Sequence, residues 1–313
     1  MVKTSEEYLP EGSYTARSAV RQALASLTGL RRAWQEGQIL EAVAQRCTAA
    51  HDLLFDFGFA QGIMPRSCCA LGVAEGDTRE IAILSRVGKP TCFAVAGIEE
   101  ESDPPTVWLS RTVVQQRAQD ALLAALRPGD IIPAAVTHLE AFGAFVDIGC
   151  GLPSLIGIEN LSVSRIHHPS DRLQVGQVIR AAVRAVDQPA RRIALSYREL
   201  LGTWEQNAAL FSAGETVRGV VRSVEPYGIF IELMPNLSGL AEPRGDLAVG
   251  MVVSVYIKSI LPQRMKIKLN VIDVLASAAP PLPPRYFIRE GHIGQWVYTP
   301  PCCDKKYIAT QFD

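Results

Sequence analysis

Along Ile229-Phe230-Ile231-Glu232-Leu233, apolar residues recur at every second position. Ile229, Ile231 and Leu233 therefore form one buried strand face, and Phe230 and Glu232 are expected on the opposite, water-facing side. The same phrase stands 85 residues earlier, with Ala144, Val146 and Ile148 inward and Phe145 and Asp147 outward. Around it, Gly143, Gly149, Gly151, Pro153 and Gly176 punctuate five short runs: Ile131–Leu139, Ala144–Ile148, Ser154–Ile158, Gln177–Val186 and Arg192–Ser196. Five strands in so short a span predict a small Greek-key barrel of the OB type.

The repeat has a fixed frame. Gly129-Asp130 is followed thirteen residues after the glycine by Phe142-Gly143-Ala144-Phe145, and Gly214-Glu215 at the same interval by Tyr227-Gly228-Ile229-Phe230. A constant offset marks a repeated structural unit. A third, degenerate copy is expected earlier, opened by Gly37. Its third strand falls near Gly62–Ser67, Val87-Gly88 stands in for Val175-Gly176, and Thr106–Arg111 closes it. Thirteen and sixteen residues from Gly37 lie Ala50 and Leu53, so both aromatics are missing there.

Helical patterns separate the copies, over Val113–Leu126 and Tyr197–Phe211. In the second, Leu200, Leu201, Trp204, Ala208, Leu210 and Phe211 make an apolar stripe, and Trp204 is expected to pack. A further helix signal covers Ser18–Leu27. The fold class is mainly β, with tandem five-stranded OB-fold barrels joined by short α-helices. The predicted organisation is an N-terminal extension (1–33), a degenerate barrel (34–112), a linker helix (113–127), a barrel (128–197), a second linker helix (198–213), a compact barrel (214–272) and a tail (273–313). In the tail, Pro280–Pro284 reads as a semi-rigid spacer. Tyr286, Phe287, Trp296, Tyr298, Tyr307 and Phe312 are too many aromatics for a disordered end, so the tail is expected to fold back on the last barrel.

Charge changes the picture only once it is divided. The whole chain carries a formal −1. Residues 34–112 hold 6 basic and 11 acidic side chains, or −5; residues 127–199 hold 8 and 7, or +1; residues 214–271 hold 7 and 5, or +2. Attraction for phosphate belongs to the later units. Seven cysteines suit reduced thiols rather than a disulfide framework, and no apolar run reaches membrane-spanning length. Those features and the absence of a leader-like N-terminus predict a soluble cytoplasmic protein. Adjacent Cys302-Cys303 with His292 lacks metal-ligand spacing, and no cofactor or metal is expected.

An outward ring at the same place in two copies, each with a second ring three residues earlier beside a glycine, is a platform for stacking bases. Single-stranded nucleic acid is the usual partner of such a platform. At this point the chain resembles a known family. Phe142-Gly143-Ala144-Phe145-Val146, Val175-Gly176-Gln177-Val178, Val186-Asp187 and Arg191–Ser196 resemble the S1 RNA-binding domain. The phrase Leu195–Glu205 is similar to the inter-domain helix of bacterial ribosomal protein S1 homologues, and Tyr227–Glu242 to a compact S1 domain of short homologues in Gram-positive bacteria.

The resemblance implies RNA contacts at Phe142, Phe145, Asp187 and Arg192 in the first clear copy. The position where many relatives place a histidine is Gly157 here, with His168 as the substitute. In the second copy it implies Tyr227 and Phe230, joined by Lys258 and by Arg264, Lys266 and Lys268. These last three alternate with Met265, Ile267 and Leu269, which predicts a cationic row on the outer face.

The partners implied are single-stranded mRNA and the small ribosomal subunit, the latter through the acidic first module, in a non-enzymatic protein. Two alternatives stay open: an RNA-decay or regulatory factor away from the ribosome, and an OB-fold scaffold that binds proteins. No paired-carboxylate cluster, phosphate loop or Ser/His/Asp set supports an enzyme.

Overall fold

The computed structural model describes residues 7–278 and 285–312, so the proline run and the extreme N-terminus lie outside the described residues. The chain divides into two compact units. One is built on the first 126 residues with Pro133–Ala135 and Asp147–Pro153; the other holds Arg127–Ile132, Val136–Val146 and everything from Ser154 onward.

In the first unit, helices α1 (Ser18–Ala23) and α2 (Leu27–Glu36) precede the first module. The Ser26 hydroxyl accepts the Gly29 N–H at 3.1 Å and opens α2, so the helix signal splits in two and runs past residue 33. The module has strands β1 (Leu40–Val43), β2 (Arg46–Cys47), β3 (Leu53–Asp56), β4 (Gln61–Met64), β5 (Pro90–Glu99) and β6 (Thr106–Ser110) in the order β1-β5-β6-β4-β3-β2. The end strands β1 and β2 are successive halves of one strand broken at Ala44 and Gln45. The chain itself thereby links the two ends of the sheet. A four-residue helix, α3 (Ile81–Leu84), lies between β4 and β5, and α4 (Arg111–Ala125) follows β6.

Two closed barrels follow. The middle barrel contains β7 (Ile131–Glu140), β8 (Gly143–Asp147), β9 (Pro153–Gly157), β10 (Val178–Asp187) and β11 (Arg192–Ser196) in the order β10-β11-β9-β8-β7. The third contains β12 (Thr216–Glu225), β13 (Gly228–Met234), β14 (Leu237–Ala241), β15 (Val252–Leu261) and β16 (Lys266–Ala276) in the order β12-β13-β14-β16-β15. In all three modules the third and fifth strands pair in parallel: β4 with β6, β9 with β11 and β14 with β16.

A shared turn confirms the common frame. The N–H groups of Gly88, Gly176 and Gly250 donate to the carbonyls of Ala44, Val136 and Val221 at 2.8, 2.7 and 2.8 Å. Each glycine has a φ of 76–92°, a region that other residues enter only with strain.

The linker between the barrels is not one helix. Arg198–Leu201 forms a 3-10 turn, Gly202 breaks it, and α5 spans only Trp204–Ala208. The Thr203 hydroxyl and the Gln206 side chain cap the start of α5 reciprocally, which forces a fresh helix at that point. Trp204 is buried against the third barrel, as are Trp296, Tyr298 and Phe312 of the tail. The tail forms a ribbon, β17 (Gln295–Val297) paired with β18 (Ala309–Gln311). Among the described residues, no helix is long and apolar enough to cross a membrane.

Candidate nucleic-acid interface

Both ring pairs are assembled as alternation places them. Phe142 is 56% exposed and Tyr227 68% exposed, each just before its strand, while Phe145 and Phe230 are half-buried on the strands. The two pairs share one geometry: Phe142 and Phe145 meet at 5.9 Å and 87°, Tyr227 and Phe230 at 6.3 Å and 86°. The glycine between the rings is required sterically. A Cβ on Gly143 would stand 2.5 Å from the Ile156 carbonyl oxygen, and one on Gly228 2.8 Å from that of Ala241. That close approach brings the third strand beneath the rings.

Alternation misses a polar pair beside each platform. His138 packs 6.3 Å from the Phe145 ring and bonds Glu140 through Nε2 at 2.7 Å. In the third barrel Ser223, in register with Phe230, donates to Glu225 at 2.6 Å. The pairs 138/140 and 223/225 keep the offset of 85, which is the signal that could have found them.

In the third barrel, Phe230, Leu240 and Lys268 form one cross-strand row, so Lys268 shares the ring face. Arg264 and Lys266 line a groove with Tyr227 and Phe230. The expected row of three cations along one strand needs correction. Arg264 belongs to a 3-10 turn (Pro262–Arg264), Met265 takes a left-handed φ of 45° and is only half-buried, and the strand begins at Lys266. The turn that joins β15 to β16 leaves no room for a longer strand. Lys258 is exposed and paired with Glu242 at 3.1 Å.

In the middle barrel, Asp187 and Arg192 face each other across the β10–β11 turn. Asp187 accepts the Ala190 N–H at 2.9 Å and so caps that turn. Arg192 occupies the register place that Lys266 has in the third barrel. His168 caps the 3-10 helix Pro169–Asp171, with its Nδ1 2.8 Å from the Ser170 hydroxyl. Its hydrogen bonds, to Ser170 and Asp171, stay within that loop.

Two carboxylates expected to face water are buried. Glu232 is 3% exposed and forms ion pairs with Arg172 and Arg222. Arg172, 5% exposed, comes from the loop between β9 and β10, and Arg222 also pairs with Asp171 of that loop at 2.8 Å. Asp147 accepts N–H bonds from Glu11 at 2.7 Å, Gly149 at 2.8 Å and Gly151 at 2.9 Å. In both copies, partners distant along the chain cover the outer face at this position.

In the first module, register puts Leu54 rather than Leu53 at the place of Phe230, because Leu54 opposes Ile63 as Phe230 opposes Leu240. The strand-two ring is absent there by either count. Among the described residues no group of three or more His, Cys, Asp or Glu side chains is arranged to hold a metal ion.

Comparison with known proteins follows the same frame. Residues 125–198 match the S1 RNA-binding domain family. A small ribosomal subunit protein bS1 homolog from Bacillus subtilis (strain 168) is 31% identical over 230 residues, 71% of this chain and 56% of its own length. The small ribosomal subunit protein bS1 of Staphylococcus saprophyticus is 32% identical over 190 residues, 55% of this chain and 48% of its own. The chain thus spans about half the length of the curated relatives it matches. The solution structure of GSP13 from Bacillus subtilis is 26% identical and covers 28% of this chain and 73% of that one. Its TM-score of 0.24 is too low to bear on the fold. Residues 125–198 thus match the S1 RNA-binding domain, and the chain is similar to small ribosomal subunit proteins bS1 over about half of their length.

Proposed function

We propose that the chain binds single-stranded RNA through the ring faces of its middle and third barrels, and holds mRNA at or near the small ribosomal subunit without catalysing a reaction. The observation that carries the reading is the pair of platforms, each an exposed ring set edge-on to a half-buried one with nearly equal spacing. Every base offers a flat face to such a platform, at about 1–3 kcal/mol per stacked base. Stacking and phosphate contact read no base edges, so sequence preference is slight and unpaired RNA is favoured. The ribosomal part of the reading, and with it a cytoplasmic location, is supported by the names of the bS1 relatives. The first module, acidic and with Leu54 at the ring place, is assigned to protein docking on the subunit.

Fluorescence anisotropy of a labelled single-stranded RNA, followed through a salt series, tests the platforms. Phe142→Ala/Phe145→Ala and Tyr227→Ala/Phe230→Ala are each expected to lose about 1–3 kcal/mol of binding free energy for every base released. Affinity unchanged in both double variants refutes the platforms. Co-sedimentation with small subunits tests the ribosomal part, and its failure with RNA binding intact favours a decay or regulatory factor instead.

A further inference from the structure

The third barrel joins its third and fourth strands with a segment 11 residues shorter than that of the middle barrel, since Leu155 to Gly176 spans 21 residues and Leu240 to Gly250 spans 10. A groove over the rings built from that barrel alone would lack a side. In the structure the side is closed by other parts of the chain. The groove at Tyr227 and Phe230, about 420 Å³, is walled by Val163, Ser164 and Arg165 of the middle barrel's loop and by Tyr298, Lys306 and Ile308 of the C-terminal ribbon. Its volume falls within the ~300–1,000 Å³ of ordinary ligand sites.

Both walls are bonded in place. The Val163 N–H donates to Asn236 Oδ1 at 2.8 Å, the Ser238 hydroxyl donates to that of Ser164 at 3.1 Å, and the Tyr298 hydroxyl donates to the Asn236 carbonyl. Arg222, which also lines the groove, is engaged by Glu232 and Asp171. Glu225, the carboxylate in the lining, is held by the Ser223 hydroxyl. Arg165, Arg264, Lys266 and Lys306 are exposed and form no ion pair among the described residues. Four uncompensated cations around two base-stacking rings are the complement of a nucleic-acid backbone.

We propose that Arg165 and Lys306 contact RNA phosphates at the third barrel, so that its single-stranded RNA site is assembled from the preceding barrel's loop, the barrel itself and the C-terminal ribbon. The inference rests on the ring faces being RNA platforms, and extends that reading to ligand contacts from outside the barrel.

The test uses the full chain with Phe142→Ala/Phe145→Ala, so that only the third site reports, and a fluorescein-labelled oligouridine titrated between about 50 and 200 mM KCl. Arg165→Gln and Lys306→Gln are each expected to reduce the slope of log K against log salt by about 0.7, and together by about 1.4. Lys305→Gln, exposed but outside the groove, is expected to leave the slope unchanged. An unchanged slope in the Arg165/Lys306 double variant, with binding still lost on Tyr227→Ala/Phe230→Ala, overturns the assembled site and leaves the ring platform standing. An equal fall in Lys305→Gln reduces the effect to general surface charge and also overturns it. Binding that is absent in the starting variant, or indifferent to Tyr227 and Phe230, removes the third barrel's platform and the assembled site with it, and leaves the middle barrel's platform to the Phe142/Phe145 comparison with the unaltered chain.

Discussion

Removing one side of the buried pair between Arg172 and Glu232 leaves a charge out of water with its partner gone. Glu232→Met is therefore expected to cost about 3–5 kcal/mol of stability, while Arg172→Met/Glu232→Met costs less, because the second change removes the stranded guanidinium. Urea denaturation of the two variants checks the difference. An equal cost in both locates the loss in packing. The same pair marks what a single strand's pattern cannot disclose. Alternation correctly put Ile229, Ile231 and Leu233 inside and gave the rings the opposite face. It also put Glu232 in water, since nothing within Ile229–Leu233 announces an arginine 60 residues earlier. Rings are legible as outliers on a polar face; a buried carboxylate on that face looks like any solvated one.

At the scale of the element, strands and turns were the most legible features. The five predicted strands of the middle barrel lie within one residue of those observed, because glycine and proline delimit them. The linker was less so, since its apolar stripe continues through the break that Gly202 and the Thr203 cap impose. The turn after β8 carries a pH dependence that no local pattern announces. Burial, then the Glu11 carboxylate, push Asp147 up to about 7, against the N–H donors around it and Arg111. The folded chain holds a proton there that the unfolded chain, with an ordinary value near ~3.9, releases. The stability from this group is full below about pH 4 and lost as pH rises through about 7. Glu11 has the opposite sign. Burial disfavours its charge, but Arg111 and Arg86 outweigh burial and hold it low, so its contribution is lost only in acid. The urea midpoint is expected to fall between about pH 5 and pH 8, and Asp147→Asn to flatten that difference.

At the scale of the whole molecule, the C-terminal ribbon behaves as part of the third barrel's core. Trp296 is 4% exposed within it, and its indole N–H has no hydrogen-bond partner. Trp296→Ala is expected to cost about 3–5 kcal/mol. Trp296→Phe should cost much less, since the indole N–H has no hydrogen bond to lose; thermal or urea unfolding of the two variants decides it. The aromatic content of the tail announced this packing. The joint role of Asn236 was not visible, because its partners Val163, Arg198, Gly202 and Tyr298 are scattered over 136 residues (298 less 163, with both ends counted). That clasp, with the Arg172–Glu232 pair, joins the middle and third barrels before any ligand arrives. A strand held on both ring faces then incurs little ordering cost at the second contact, because folding has already met it. On the proposed RNA-binding reading the consequence is kinetic: such preorganisation lengthens residence on the bound strand through slower release, and leaves the rate of first encounter to charge and diffusion.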